Sequence, residues 1–253
     1  MRIEDDTPEP GIIPDVYPLN SPINLLNDRK LLYPDNFYAF EGIDAAGKST
    51  LILEVAKKLA SRGREVAKLK LAGSDLIRHA LERAKWLNVD PICFNLLNWI
   101  SVFHQTSSHQ HLFNTSTLIF FDRYTMTIKA RGRSEGLSTD YMDILERMLP
   151  RPRITFLVDC DPDLSVCRVR TNQRSISYFE AGVRHVISTG EPMTEVSESV
   201  RSKTARREEG LNRSQRRMRE EFFRLARNRA DIVVINNSDR IEVAADQVLA
   251  NLQ

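Results

Sequence analysis

Phe37-Tyr38-Ala39-Phe40-Glu41-Gly42-Ile43-Asp44-Ala45-Ala46-Gly47-Lys48-Ser49-Thr50 is the stretch on which the fold turns. Residues 42–49 satisfy the spacing G-x-x-x-x-G-K-[ST], and they stand between an apolar run and the helical pattern Leu51 to Leu59. A phosphate loop needs this order. Glycines let consecutive backbone N–H groups turn inward around a phosphate, Lys48 brings a point charge to the β/γ oxygens, and the Ser49 hydroxyl is placed to ligate Mg²⁺. The helix that follows points its positive dipole end at the same spot. Gly42, Asp44, Ala45, Ala46, Gly47, Lys48, Ser49 and Thr50 are therefore the expected cradle for ATP, with Mg²⁺ as cofactor.

Outward from this loop, apolar strands are expected near 37–41, 65–71, 117–121, 154–159 and 232–236. Helices are expected near 48–62, 75–87, 91–112, 138–149, 161–171, 211–229 and 239–252. Strands alternating with helices predict an α/β fold, a P-loop kinase type of parallel β-sheet flanked by helices. The last helix has Ile241, Ala244, Ala245, Val248, Leu249 and Leu252 at helical spacing behind an Asp239…Glu242 capping box. Residues 1–36 carry Pro8, Pro10, Pro14, Pro18, Pro22 and Pro34 and read as a proline-rich N-terminal arm, leaving 37–253 as the main domain. The stretch 171–211, polar and interrupted by Gly182, Gly190, Pro192 and Gly210, is too long for an ordinary connection and reads as a mobile lid.

Composition narrows the class. Apolar residues make up 42% and charged residues 28%, ordinary for a water-soluble globular chain, and no apolar run approaches the ~18 residues that would span a bilayer. With 36 basic against 34 acidic residues there is no general pull toward nucleic acid. Cys93, Cys160 and Cys167 lack metal-type spacing and suit a reducing compartment, and the acidic start Met1 to Asp6 has no apolar core behind it, so a cytoplasmic protein without a secretory signal is expected. His104, His109 and His111 have no neighbouring cysteine or carboxylate and read as the end of a half-exposed helix rather than a metal site. The arginines and Lys203 between Arg201 and Arg219 alternate with glutamates and read mainly as a solvated helix face.

Asp122-Arg123-Tyr124 follows the apolar run Thr117 to Phe121, which puts a charged pair at the carboxyl end of a buried strand, where open α/β sheets bind ligands. Asp122 is placed to join Ser49 in the Mg²⁺ shell, and Arg123 to fork around a phosphate.

Phe40 to Thr50 closely resembles the F-E-G-x-D-x-x-G-K-[ST]-T segment of thymidylate kinases, and Asp122-Arg123-Tyr124…Thr127…Ala130 resembles their D-R-Y-x-x-S-x-x-A. Leu157 to Pro162 is similar to the family's strand-to-helix turn, and Arg168…Arg174…Phe179-Glu180 to its arginine-bearing lid. The resemblance runs from Phe37 to Leu252. It implies an ATP-dependent kinase, a small-molecule phosphoryl acceptor and a homodimer built through helices beside the acceptor site. It also implies that Asp44 contacts the acceptor's sugar hydroxyl, that Arg123 holds the acceptor phosphate, and that a lid arginine reaches the transferring group. Ala45-Ala46 leaves the loop without an arginine of its own, so Arg174 is the first choice, with Arg168 and Arg170 as alternates.

The departures lie on the acceptor side. Where the family carries an arginine-proline segment after the second strand, this chain has Leu69 to Ser74 with only Lys70 charged. Its thymine-reading F-x-x-x-R is expected near Leu97 to Val102, which holds no arginine, and Trp99 is the large side chain of that window. Arg131-Gly132 replaces an aromatic that would stack on a pyrimidine. Lys70, Trp99, Thr127 and Arg131, with Asp44 and Arg123, are the expected acceptor contacts. The expected function is phosphoryl transfer from ATP to a nucleoside monophosphate or nucleotide-like acceptor other than thymidine monophosphate. The alternatives are a kinase acting on a hydroxyl of a nucleoside, aminosugar or other metabolite, and a nucleotide-binding regulator without catalysis.

Overall fold

The computed structural model describes residues 32–252 apart from 88, 174, 178–179, 181–199 and 238–239, and only the backbone of 200–206. Strands β1 (Phe37–Glu41), β2 (Val66–Lys70), β3 (Leu118–Asp122), β4 (Ile154–Asp159) and β5 (Ile232–Asn236) form one sheet in the order β2-β3-β1-β4-β5. Every pairing is parallel. Each parallel connection therefore crosses over through helix: α1 (Lys48–Ala60), α2 (Arg78–Trp86), α3 (Pro91–Ser108), α4 (Thr125–Ser134), α5 (Asp140–Arg147), α6 (Pro162–Thr171), α7 (Val200–Ala226) and α8 (Ile241–Ala250).

Helices on both faces explain why the central strand is buried throughout, and apolar from Phe37 to Phe40, instead of alternating. Tyr38 and Phe40 of β1 pack with α1, α7 and α8 through Leu51, Ile52, Val55, Met218, Phe222, Ala245 and Val248. Phe37 and Ala39 face the opposite way, toward Trp99 and Val102 of α3 and Met142 of α5. The register is what positions the site. Phe40 pairs with Asp122, and Asp122 with Lys70, so the carboxyl ends of β1, β3 and β2 lie level.

Two helices differ from expectation. α4 was not foreseen: the reading passes from the strand ending at 121 to a helix at 138, because Thr125, Thr127 and Lys129 break any apolar stripe, yet all three are buried. α7 begins at Val200, so the last part of the segment expected as a lid is helical. The Asp239 half of the expected capping box lies outside the described residues. The other starts follow local chemistry, with Asp90 and Asp161 capping α3 and α6 ahead of Pro91 and Pro162. Among the described residues no helix is long and apolar enough to cross a membrane.

Candidate active site

The loop between β1 and α1 is held in a shape that few residues adopt. Gly42 has φ 140°, and a Cβ there would stand 2.3 Å from the Val158 carbonyl oxygen, so β4 presses the loop where it leaves the sheet. Gly47 has φ 88° at the start of α1, and a Cβ there would meet the Asn237 amide nitrogen at 2.3 Å. Ala45 at φ 52° and Arg123 at φ 66° are left-handed without being glycine, a strain of order ~1 kcal/mol each that sits around the same site.

Three side chains from elsewhere secure the loop backbone. The Asn237 amide donates to the Ala46 carbonyl at 2.6 Å, Arg168 to the Ala45 carbonyl at 3.1 Å, and the Ser165 hydroxyl to the Asp44 carbonyl at 2.6 Å. Lys48 is 4% exposed and its ammonium donates to the Gly42 and Ile43 carbonyls at 3.1 and 2.6 Å. Burial, followed by the positive charge of Arg123, lowers its pKa to about 7. Ser49 Oγ donates to Asp122 Oδ2 at 2.5 Å. These two oxygens, a hydroxyl and a carboxylate at the mouth of the loop, suit Mg²⁺, which takes oxygen ligands and completes its shell with water and phosphate.

Asp44 is the hub of the other half. Its carboxylate accepts from Arg123 at 2.5 Å and from the Gln215 amide at 3.0 Å, with Arg131 3.8 Å away. Its backbone N–H donates to the Gln215 carbonyl oxygen at 2.7 Å. Arg123 also donates to the Gly42 carbonyl at 2.9 Å, so one guanidinium ties the phosphate loop to the turn after β3. Beneath it Glu41, fully buried, accepts from the Tyr124 and Thr127 N–H groups and from the Thr127 hydroxyl. Burial raises the Glu41 pKa, the Thr127 contacts opposing it.

A cleft of about 670 Å³ runs across these groups. At one end are Arg168, Asn172, Asn237 and Ile241; the loop, Ser49 and Asp122 form its middle; Lys70, Lys85, Phe94, Asn98 and Arg131 line the other end. Gly42 and Ala46 support the loop from behind, while Asp44, Ala45, Gly47, Lys48, Ser49 and Thr50 face the cleft together with Arg123.

Several expected contacts are placed differently. Trp99 is 1% exposed, its indole N–H donating to Asn95 at 2.9 Å, because its position on α3 turns it into the core. The α3 residues at the cleft are Phe94, just before the expected window, and Asn98, inside it, and residues 91–98 hold no arginine either. The Thr127 hydroxyl, fully buried, is engaged with Glu41. Arg131 does reach the cleft, its guanidinium 5.8 Å over the Phe94 ring. Arg170 is turned outward into a two-point pair with Glu208, at 3.1 and 2.5 Å, because it lies on the exposed side of α6. Arg174 lies outside the described residues.

Along α7 several arginines are paired: Arg216 with Asp163, Arg219 with Asp159, and Arg213 with Glu209. Among the described residues no cluster of His, Cys, Asp or Glu could hold a metal on its own; the His109 ring meets the Gln105 carbonyl and the His104 ring meets Ser74.

Gln215 went unnoticed in the sequence, although a signal exists. It is the polar member of the stripe Leu211, Gln215, Met218, Phe222, otherwise apolar, in a helix rich in charged residues.

The family model described as thymidylate kinase matches residues 40–198, well over half of the chain. A probable thymidylate kinase of Pyrobaculum calidifontis is 28% identical over 182 residues, covering 65% of this chain and 93% of that protein. One from Sulfurisphaera tokodaii is 27% identical over 138 residues, 54% and 70% of the two chains. The thymidylate kinase of Pelobacter propionicus is 28% identical over 149 residues, covering 53% and 65%.

Proposed function

We propose that this chain, which belongs to the thymidylate kinase family and is an ATP-dependent phosphotransferase, moves the γ-phosphoryl group to a nucleoside monophosphate or nucleotide-like acceptor other than thymidine monophosphate. The observation that carries the choice of acceptor is Arg131 over Phe94: the ring face on which a pyrimidine would stack is covered by a cation. The neighbouring Asn98 supplies a neutral amide instead of an arginine, and Lys70 and Lys85 add positive charge at the same end. This end is suited to an acceptor with more negative or hydrogen-bonding surface than thymine offers.

In-line transfer asks for position and charge more than for covalent help. The loop N–H groups and Lys48 hold the ATP phosphates, while Ser49 and Asp122 would hold Mg²⁺, which would supply neutralisation of phosphate charge there. Arg123 grips the acceptor phosphate and Asp44 orients its sugar. Arg168 and Arg170 already have partners, the loop backbone and Glu208, which supports Arg174 as the arginine that meets the transferring group. Transfer to an alcohol would need a base, and both candidates are engaged, Asp44 with Arg123 and Gln215, Asp122 with Ser49. Exposed Ile92, Leu96 and Ile100, aligned along α3, support a homodimer through that helix.

The deciding experiment is an ATP-consumption assay over the nucleoside monophosphates, nucleosides and aminosugars. A nucleotide other than thymidine monophosphate is expected to give the highest kcat/KM. Preferred turnover of thymidine monophosphate, or of an aminosugar, rejects the proposal.

A further inference from the structure

The carboxamide of Gln215 is 1% exposed and spends both its polar atoms on one residue, accepting from the Asp44 N–H and donating to the Asp44 carboxylate. α7, which carries Gln215, is itself anchored on three sides. Arg133 of α4 meets Glu221 at 2.8 Å, Asn212 and Arg216 meet Asp163 of α6, and Arg219 makes a two-point contact with Asp159 of β4. We propose that Gln215 is a positioning residue: it sets the Asp44 carboxylate, and through it Arg123 and Arg131, so that the seating of α7 decides the geometry of the acceptor end. The proposal rests on Asp44 and Arg123 being acceptor contacts.

Charged groups from several elements stand around this pair, among them Arg168 of α6, which donates to the neighbouring Ala45 carbonyl. Arg123 comes from the turn after β3, Arg131 from α4, Lys48 from the loop itself, and Glu41 lies beneath Arg123. α6 also contributes the neutral Ser165 hydroxyl, its Asp163 being held by Asn212 and Arg216. Gln215→Glu keeps size and the acceptor for the Asp44 N–H, but turns the donor into a second carboxylate oxygen 3.0 Å from Asp44. Two carboxylates so close cannot both ionise freely, and a shared proton restores the lost bond at low pH.

Two readouts test this in the full chain: the Asp44 amide resonance followed through pH by NMR without ligand, and calorimetric affinities for ATP and thymidine monophosphate at pH 8 and 5.5, each variant divided by wild type at the same pH. Gln215→Glu should show an added titration at Asp44. At pH 8 its affinity for the monophosphate should fall about 10-fold, the size of one hydrogen bond to a charged group, with ATP within about 2-fold and most of the loss recovered at pH 5.5. Gln215→Ala should lose a similar amount at both pH values without recovery. An unchanged Asp44 titration in Gln215→Glu, or equal losses for both nucleotides at every pH, overturns the proposal. Failure of wild type to bind thymidine monophosphate would agree with the acceptor proposed above, and the Asp44 titration alone then decides the role of Gln215.

Discussion

The two ends of the cleft are built by different means. The ATP end is mostly backbone: loop N–H groups and carbonyls, shaped by Gly42 and Gly47 at left-handed φ and fastened by Asn237, Arg168 and Ser165. The acceptor end is mostly side chain, Lys70 from β2, Lys85 from α2, Phe94 and Asn98 from α3, Arg131 from α4. A backbone site can hardly change without disturbing the fold, because a Cβ at Gly42 collides with the β4 backbone and one at Gly47 would sit at a left-handed φ against the Asn237 amide. A side-chain site changes one residue at a time. On the proposed function, the pairing of a family-like loop with a pocket for another acceptor follows from that difference.

The most severe test falls on the ATP end. Lys48→Ala should cost about 10³-fold in turnover with the melting curve little changed, since the removed ammonium touches loop carbonyls and phosphate rather than apolar core. Normal turnover would mean that the loop is no catalytic site. Arg174→Ala should lower kcat by roughly 10²-fold while ATP affinity stays within a few-fold, measured by single-turnover kinetics and ATP titration. An unaltered kcat would move the role to Arg168 or Arg170.

At the acceptor end, thymidine monophosphate should lie at least about 100-fold below the best acceptor in kcat/KM, and Arg131→Ala should narrow that gap without touching ATP affinity. A silent Arg131→Ala with efficient use of thymidine monophosphate would erase the contrast between the two ends.

The smallest effect is a fraction of a proton. The pKa of Lys48 is about 7 by burial and by Arg123, below the ordinary lysine value, so at pH 8 the amine is mostly neutral. Phosphate charge beside it raises that pKa, so ATP binding at pH 8 should take up protons, and affinity should fall as pH rises above 7. Calorimetry in buffers of different ionisation enthalpy measures the uptake, which should vanish in Lys48→Ala. The same depressed pKa makes the folded state bind fewer protons than the unfolded chain between about pH 7 and ~10.4, so Lys48 contributes increasing stability with pH across that window. Uptake that persists in the variant would assign the proton elsewhere.

The same contrast governs what could be read beforehand. The strands and the loop were legible because buried parallel strands are continuous apolar runs and the phosphate cradle is contiguous in sequence. α4 escaped because its buried Thr125, Thr127 and Lys129 are satisfied by Glu146 and Glu41, partners distant in sequence. Trp99 was taken for a cleft residue and Phe94 was not, because a helix face cannot be phased without knowing where its core lies, and Trp99 marks the core side. Gln215 meets Asp44 across 171 positions, a pairing no local pattern announces.

Glu41 holds a further consequence. It ends β1 immediately before the phosphate loop, and it also takes the first N–H groups of α4, so ATP cradle and acceptor helix hang from one buried carboxylate. Phosphoryl transfer requires the reacting atoms within about 3–3.5 Å. On the proposed function, changes two turns along α4, such as one at Arg131, alter which molecule is phosphorylated while Glu41 helps to keep the start of α4 in place beside the phosphate loop.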